Sequence, residues 1–163
     1  MEERYAGEDA PSAFEMSEDE ADDWQDETDQ VGQALLPALQ QLVVALPSAR
    51  SIMVSTADGF NLCSLGLTEE VVDHISAMGS ALHSVARSAV ESLGDHAAGE
   101  SAPLDALTIA HGSHTTVVLT VPVVEHEYAL LWITGTTDTL GSILFRARAA
   151  VPAIVEVLHD FFA

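Results

Sequence analysis

The chain contains no lysine and only five arginines among 163 residues, against 26 acidic residues, which gives a formal net charge of -21. Proteins that bind nucleic acid use Lys and Arg to displace counterions from phosphates, so this composition argues against a nucleic-acid partner. The same shortage argues against binding to an anionic membrane surface. No apolar run approaches the ~18 residues of a membrane-spanning helix, and we expect no membrane insertion.

Cysteine is nearly absent as well. Cys63 is the single cysteine, so the chain cannot form an internal disulfide, and a reducing compartment fits this usage. The N-terminus lacks the basic start and apolar stretch of a signal peptide, and we therefore predict a cytoplasmic location. We expect Cys63 to be a buried small hydrophobic side chain and not a reactive thiol.

The acidic residues are distributed unevenly. Thirteen of the 26 lie in residues 1–29, which hold few large apolar side chains. Like charges repel, and such a segment cannot bury enough apolar area to offset the entropy of ordering. We predict a disordered acidic tail over residues 1–29 and one folded domain over residues 30–163, long enough to have a true core.

Helical spacing of apolar residues over 31–46 predicts a first helix. Proline disrupts a helix interior, so Pro37 places the start of this helix near Leu36 or bends it there, and Pro47 ends it.

A β-branched run at 51–56 precedes Asp58-Gly59, a dipeptide typical of a two-residue hairpin turn, and 60–65 provides the returning strand. We predict a loop and three further strands, the last of them apolar on both faces and therefore central in the sheet. The loop covers 94–103 and the strands cover about 104–111, 115–121 and 127–134.

A long helix is predicted between Thr68, which is a good N-cap, and Gly94, which suits the position after a C-terminus. Its apolar positions recur at spacings of three and four: Val71, Ile75, Met78, Leu82, Val85, Ala89 and Leu93. Its other face is polar: Asp73, Ser76, Ser80, Ser84, Arg87 and Glu91.

A last helix, capped by Thr137 or Asp138 and kinked at Pro152, completes the order α-β-β-α-β-β-β-α. This order predicts an α+β domain.

Motifs for catalysis are missing. The chain has no phosphate-binding Gly-rich loop, no dinucleotide fingerprint, no pair of cysteines for zinc and no nucleophile elbow, so we predict no enzyme activity and no cofactor. His111 and His114 flank the Gly112-Ser113 turn, but two imidazoles do not make a metal site, and none is predicted.

The segment Leu46 to Ser88 resembles the bacterial branch of the Roadblock/dynein light chain family. The residues that carry this resemblance are LPSARSIMVSTADGFNL, which reads as helix end, strand, Asp-Gly hairpin and strand, followed by the long helix with ISAMGSALHSVARS. Three strands and a closing helix then follow in the family's order, so the resemblance covers about residues 30–163.

The resemblance implies a five-stranded antiparallel sheet between one long helix and the two terminal helices. It also implies dimerisation through the long helix and the edge strand after it, here Thr68–Leu93 and Leu104–His111. Arg87 is either a partner contact or half of an exposed pair with Glu91. The candidate interface residues are Met78, Leu82, Val85, Arg87, Ala89, Leu107 and Ile109.

The function that the resemblance implies is that of a dimeric regulator or scaffold of a small Ras-like GTPase. The dimer would be a homodimer or a heterodimer with another Roadblock-family chain. Two alternatives stay open, an interaction module that works without a GTPase and a sensor domain that binds a small ligand or a metal.

Overall fold

The computed structural model describes residues 18–94, 104–124, 127–136 and 140–162. Its elements follow the predicted order and confirm the α+β class. The helices are α1 (Glu18–Ala45), α2 (Glu69–Gly94) and α3 (Leu140–Phe162), and the strands are β1 (Ala49–Thr56), β2 (Asn61–Leu65), β3 (Ala106–His111), β4 (His114–Val124) and β5 (Glu127–Gly135). None of the described helices is long and apolar enough to cross a membrane.

The five strands form one antiparallel sheet in the order β2-β1-β5-β4-β3. Strand β5 lies at its centre, as predicted from its two apolar faces. Leu130 and Trp132 pack on the side of α2, while Leu131 and Ile133 pack on the side of α1 and α3.

The two sides of the sheet are unequally filled. The larger core lies under α1 and α3 and includes Leu35, Leu39, Ile143 and Ile154. The smaller core, under α2, has five buried members: Met53, Val72, Val118, Leu130 and Trp132. Helix α2 therefore packs on a thin apolar layer, and much of the surface of the helix makes no contact with this layer.

Helix α1 begins much earlier than predicted. It starts at Glu18 and continues through Pro37 to Ala45, so a start near Leu36 is wrong. Leu35 and Leu39 are fully buried on either side of the proline, and this packing outweighs the single backbone hydrogen bond that Pro37 cannot donate.

The predicted disordered tail of residues 1–29 also overlaps this helix. Residues 18–29 are helical, because Glu, Ala and Gln are good helix formers and the helix dipole favours acids near an N-terminus. Residues 1–17, the loop residues 95–103 and the cap at Thr137 or Asp138 lie outside the described residues.

The first hairpin turn is one residue longer than predicted. Thr56 donates its N–H to the Phe60 carbonyl oxygen at 2.8 Å, and the Phe60 N–H donates to Thr56 Oγ1 at 2.9 Å, which leaves three residues in the loop. Gly59 has a φ of 102°, as the last residue of such a loop requires. A side chain on Gly59 would meet the Ser76 carbonyl oxygen at 3.0 Å, so the turn lies directly against α2.

Candidate protein-interaction surface

The row of α2 that faces the sheet is made of small and polar residues. Val72, Ser76 and His83 are 5%, 1% and 3% exposed, and Gly79 is buried between them. The assignment of Ser76 to a polar solvent face is therefore wrong. Short side chains allow α2 to approach the sheet closely, which a row of leucines would prevent.

Gly79 is the point of closest approach. A Cβ at this position would overlap the indole ring of Trp132, which lies in the central strand. A hydrogen bond to the neighbouring strand β1 holds the ring in place, since Trp132 Nε1 donates to Ser55 Oγ at 3.3 Å. One turn earlier, Ser76 Oγ donates to Met53 Sδ at 3.5 Å. These contacts set the height of α2 above the sheet.

His83 ties α2 to the sheet near the start of β3. The Thr120 hydroxyl donates to the Leu104 carbonyl oxygen at 2.6 Å, and His83 Nε2 lies 3.0 Å from the same hydroxyl oxygen. A hydroxyl has one proton to donate, so His83 must donate to Thr120 through Nε2–H. The His83 ring also packs against Tyr128, with ring centroids 5.0 Å apart.

Burial lowers the pKa of His83, and the nearby Arg87 guanidinium lowers it further. The histidine is therefore held neutral in the folded protein. His83 falls inside the helix predicted between Thr68 and Gly94, but the apolar pattern of that helix gives it no role. Its position in one row with Val72, Ser76 and Gly79 was the available signal, because the four share the spacing of a single helix face.

The apolar stripe predicted for α2 is exposed. It lies about 100° around the helix from the sheet-facing row, and we call it the apolar flank. Met78, Val85 and Leu93 are 58%, 68% and 73% exposed. Ile75, also predicted in this stripe, is half-buried and packs against the smaller core. The members of the apolar flank are the exposed residues of the stripe: Val71, Met78, Leu82, Val85, Ala89 and Leu93.

A groove of about 290 Å³ runs between the apolar flank and the corner of the sheet that α2 leaves uncovered. Met78 and Leu82 form its wall on the helix, and Ile109 and Trp132 are among the residues that line its sheet side. The structure thus brings together three of the predicted interface residues, Met78, Leu82 and Ile109. Leu107 is half-buried and packs against the smaller core.

The two edges of the sheet differ. At the β2 edge, α1 lies so close that a Cβ on Gly32 would be 2.6 Å from the Leu62 carbonyl oxygen. At the other edge, no described strand pairs with the outer side of β3. Strand β3 has no Lys, Arg, Asp or Glu, the charged residues that protect an exposed edge from pairing with another strand. Its residues 108–111 are exposed.

No protein-family model and no curated protein matches the sequence. Solved structures match its fold. The gliding protein MglB from Thermus thermophilus superposes with a TM-score of 0.66 at 15% identity, over 80% of this chain and 92% of that one. A Roadblock/LC7 domain from Streptomyces avermitilis gives a TM-score of 0.59 at 20% identity, over 75% and 92%.

The chain has the Roadblock/LC7 fold. An MglB described as having a tetrameric arrangement is similar to the same degree, with a TM-score of 0.67 at 14% identity over 81% of this chain and 93% of that one. The apolar flank and the β3 edge lie on the two elements, the long helix and the strand after it, for which the sequence analysis predicted dimer contacts.

Arg87 lies away from the apolar flank of α2. It follows Val85 by two positions, which is about 200° around the helix. Arg87 Nε is 3.6 Å from Glu91 Oε1, and both side chains are about half exposed. The structure therefore favours the exposed i,i+4 pair, and Arg87 does not join Met78 and Leu82 in one surface.

His111 and His114 face each other across the β3–β4 turn, with ring centroids 6.5 Å apart. Within the described ranges, no three His, Cys, Asp or Glu side chains come together as ligands for a metal ion. Cys63 is 8% exposed, and burial raises the pKa of its thiol, in agreement with a structural and unreactive cysteine.

Proposed function

We propose that this protein is a dimeric regulator or scaffold of a small Ras-like GTPase and acts by protein–protein binding without catalysis of its own. The observation that carries the proposal is the apolar flank of α2 beside the edge of β3 that no described strand covers. Exposed apolar residues that share one face and border an apolar groove mark an interaction site. The GTPase enters through the resemblance to the Roadblock family.

The flank and the edge together favour a second Roadblock chain as the first partner. Antiparallel pairing of two β3 strands would join two sheets and satisfy the open backbone groups of both. The same two-fold axis would bring two apolar flanks side by side over the joined sheet, because the groove lies between the flank and Ile109 of β3. A homodimer built in this way would cover Met78, Leu82 and Val85.

The GTPase would bind to the surface that the paired α2 helices present. Such a regulator changes hydrolysis by holding the switch segments of the GTPase in one conformation, so it does not need to supply a catalytic side chain. Arg87 is engaged with Glu91, and the proposal gives it no catalytic role.

Capture from the native cell tests the proposal. A tagged full chain should retain a small GTPase, and a tagged Val85→Asp chain should not. Val44→Asp is the matched control, since it makes the same substitution at a valine that is 80% exposed on α1, on the other side of the sheet. The captured GTPase should then hydrolyse GTP at a different rate when the protein is added.

Two results would contradict this function. If crosslinked and uncrosslinked captures contain no GTPase while the protein is a dimer, the alternative of a GTPase-independent interaction module is favoured. If a GTPase binds equally well to the Val85→Asp and Val44→Asp chains, the apolar flank is not the working surface.

A further inference from the structure

The α1–α3 layer has an outer face that differs from the rest of this acidic protein. Residues 30–45 of α1 and 140–155 of α3 contain no Asp or Glu, although the chain has 26 of them. On this face, Val44 is 80% exposed and Phe145 is 68% exposed. We call it the acid-free face.

A shallow groove of about 210 Å³ crosses the acid-free face between the two helices. Its walls are formed largely by alanines, Ala38 and Ala45 from α1 and Ala149 and Ala153 from α3. Methyl side chains at these helical spacings leave space for an aromatic or long apolar side chain supplied from outside.

Among the described residues that line this groove, only Arg146 is charged. Its guanidinium lies 5.7 Å from the centre of the Phe145 ring. The ion pairs in the described part of the chain join Arg87 to Glu91 and Arg148 to Asp105, so Arg146 has no carboxylate partner there. An unpaired cation on an apolar face suits an occupant that brings both acidic and apolar side chains.

We propose that the chain's own N-terminal segment, residues 1–17, folds back along α1 and occupies the acid-free face. The segment has the complementary chemistry, with five acidic residues and one arginine, and with aromatic residues at Tyr5 and Phe14. A second copy of the chain fits less well, because its own acid-free face offers no carboxylate to Arg146.

The length of the segment permits this path and fixes its register. Helix α1 rises ~1.5 Å per residue, so the groove at Gln41 lies roughly 35 Å from the start of the helix at Glu18. About eleven extended residues at ~3.3 Å each cover that distance. Residues 1–6 are then left over the groove, which places Glu2 and Glu3 near Arg146 and Tyr5 over the alanines.

The covalent connection makes weak contacts sufficient. Because the segment is attached to α1, its binding is intramolecular and needs weaker contacts than binding between separate molecules does.

A spin label on the full chain tests the proposal. Ala6→Cys places the label inside the segment, and the buried Cys63 is protected from the reagent. The label should broaden the amide NMR signals of residues 41–45 and 145–150. Arg146→Glu should remove most of this broadening, whereas Arg87→Glu, with the same charge change on the opposite side of the sheet, should leave it unchanged.

Three outcomes would overturn the proposal. The first is the absence of broadening on the acid-free face, and the second is equal broadening in the Arg146→Glu and Arg87→Glu chains. The third is broadening that appears when an unlabelled ¹⁵N chain is mixed with a labelled ¹⁴N chain and is missing within one chain, since the segment then binds another copy.

Discussion

At the scale of single residues, the position of α2 depends on side chains to which a hydropathy pattern gives little weight. Gly79 contributes by having no side chain beside Trp132, and His83 contributes one directed hydrogen bond to Thr120. The sequence predicted α2 itself well, from Thr68 to Gly94. It could not identify which row faces the sheet, because a close approach and a buried histidine become visible only when the opposing strand is known.

Replacing Gly79 with Ala should destabilise the protein. The added methyl overlaps the Trp132 ring, and overpacking of this kind costs about 1–3 kcal/mol, more than the gain in helix propensity. Gly141→Ala in α3 is the control, because a Cβ there meets nothing within 4 Å. Urea unfolding should show a lower midpoint for Gly79→Ala only. A Gly79→Ala protein as stable as the parent would mean that α2 lies further from the sheet.

His83 should make the protein less stable as the pH is lowered through about 6.5, which is the pKa of a histidine in an unfolded chain. The folded state holds His83 at a lower pKa because of burial and Arg87, so the unfolded state takes up the proton first and is favoured by acid. His83→Gln keeps an N–H donor and removes this titration. The free energy of unfolding, measured across this pH range, should depend less steeply on pH in the variant. An equal pH dependence in the two proteins would contradict a lowered pKa of His83 in the folded state.

At the scale of elements, the prediction was most accurate where one signal decided the structure. The two apolar faces of β5 placed it in the centre of the sheet, and the Asp58-Gly59 pair located the first hairpin. It was least accurate for α1, where Pro37 and the acidic residues suggested a late start. Packing of Leu35 and Leu39 against the sheet overrides the proline, and no local pattern reports that packing.

Two aspartate substitutions on α2 should give the reverse of what hydropathy suggests. Ser76→Asp should prevent folding or cost about 3–5 kcal/mol, because Ser76 is 1% exposed and the new charge would be buried without a partner. Val85→Asp should leave the fold of each chain intact, because Val85 is 68% exposed. Circular dichroism and urea unfolding separate the two. A folded Ser76→Asp protein together with an unfolded Val85→Asp protein would mean that α2 packs on the sheet through the apolar flank.

At the scale of the whole molecule, charge and apolar surface are separated. Acids are concentrated in residues 1–29, while the apolar flank of α2 and the acid-free face lie on opposite sides of the sheet. The Roadblock/LC7 fold could be predicted from the order of elements and the residues from Leu46 to Ser88. The identity of a GTPase could not, because a protein interface is specified by the shape and charge of a second molecule.

The central claim is that the apolar flank and the β3 edge form the contact with a second copy of the chain. Sedimentation equilibrium of the full chain tests it most directly. The account predicts a mass of twice the 17.3 kDa chain for the parent protein and for Val44→Asp, and 17.3 kDa for a folded Val85→Asp protein. A parent protein that sediments at 17.3 kDa, or a Val85→Asp protein that remains a dimer, would contradict the account.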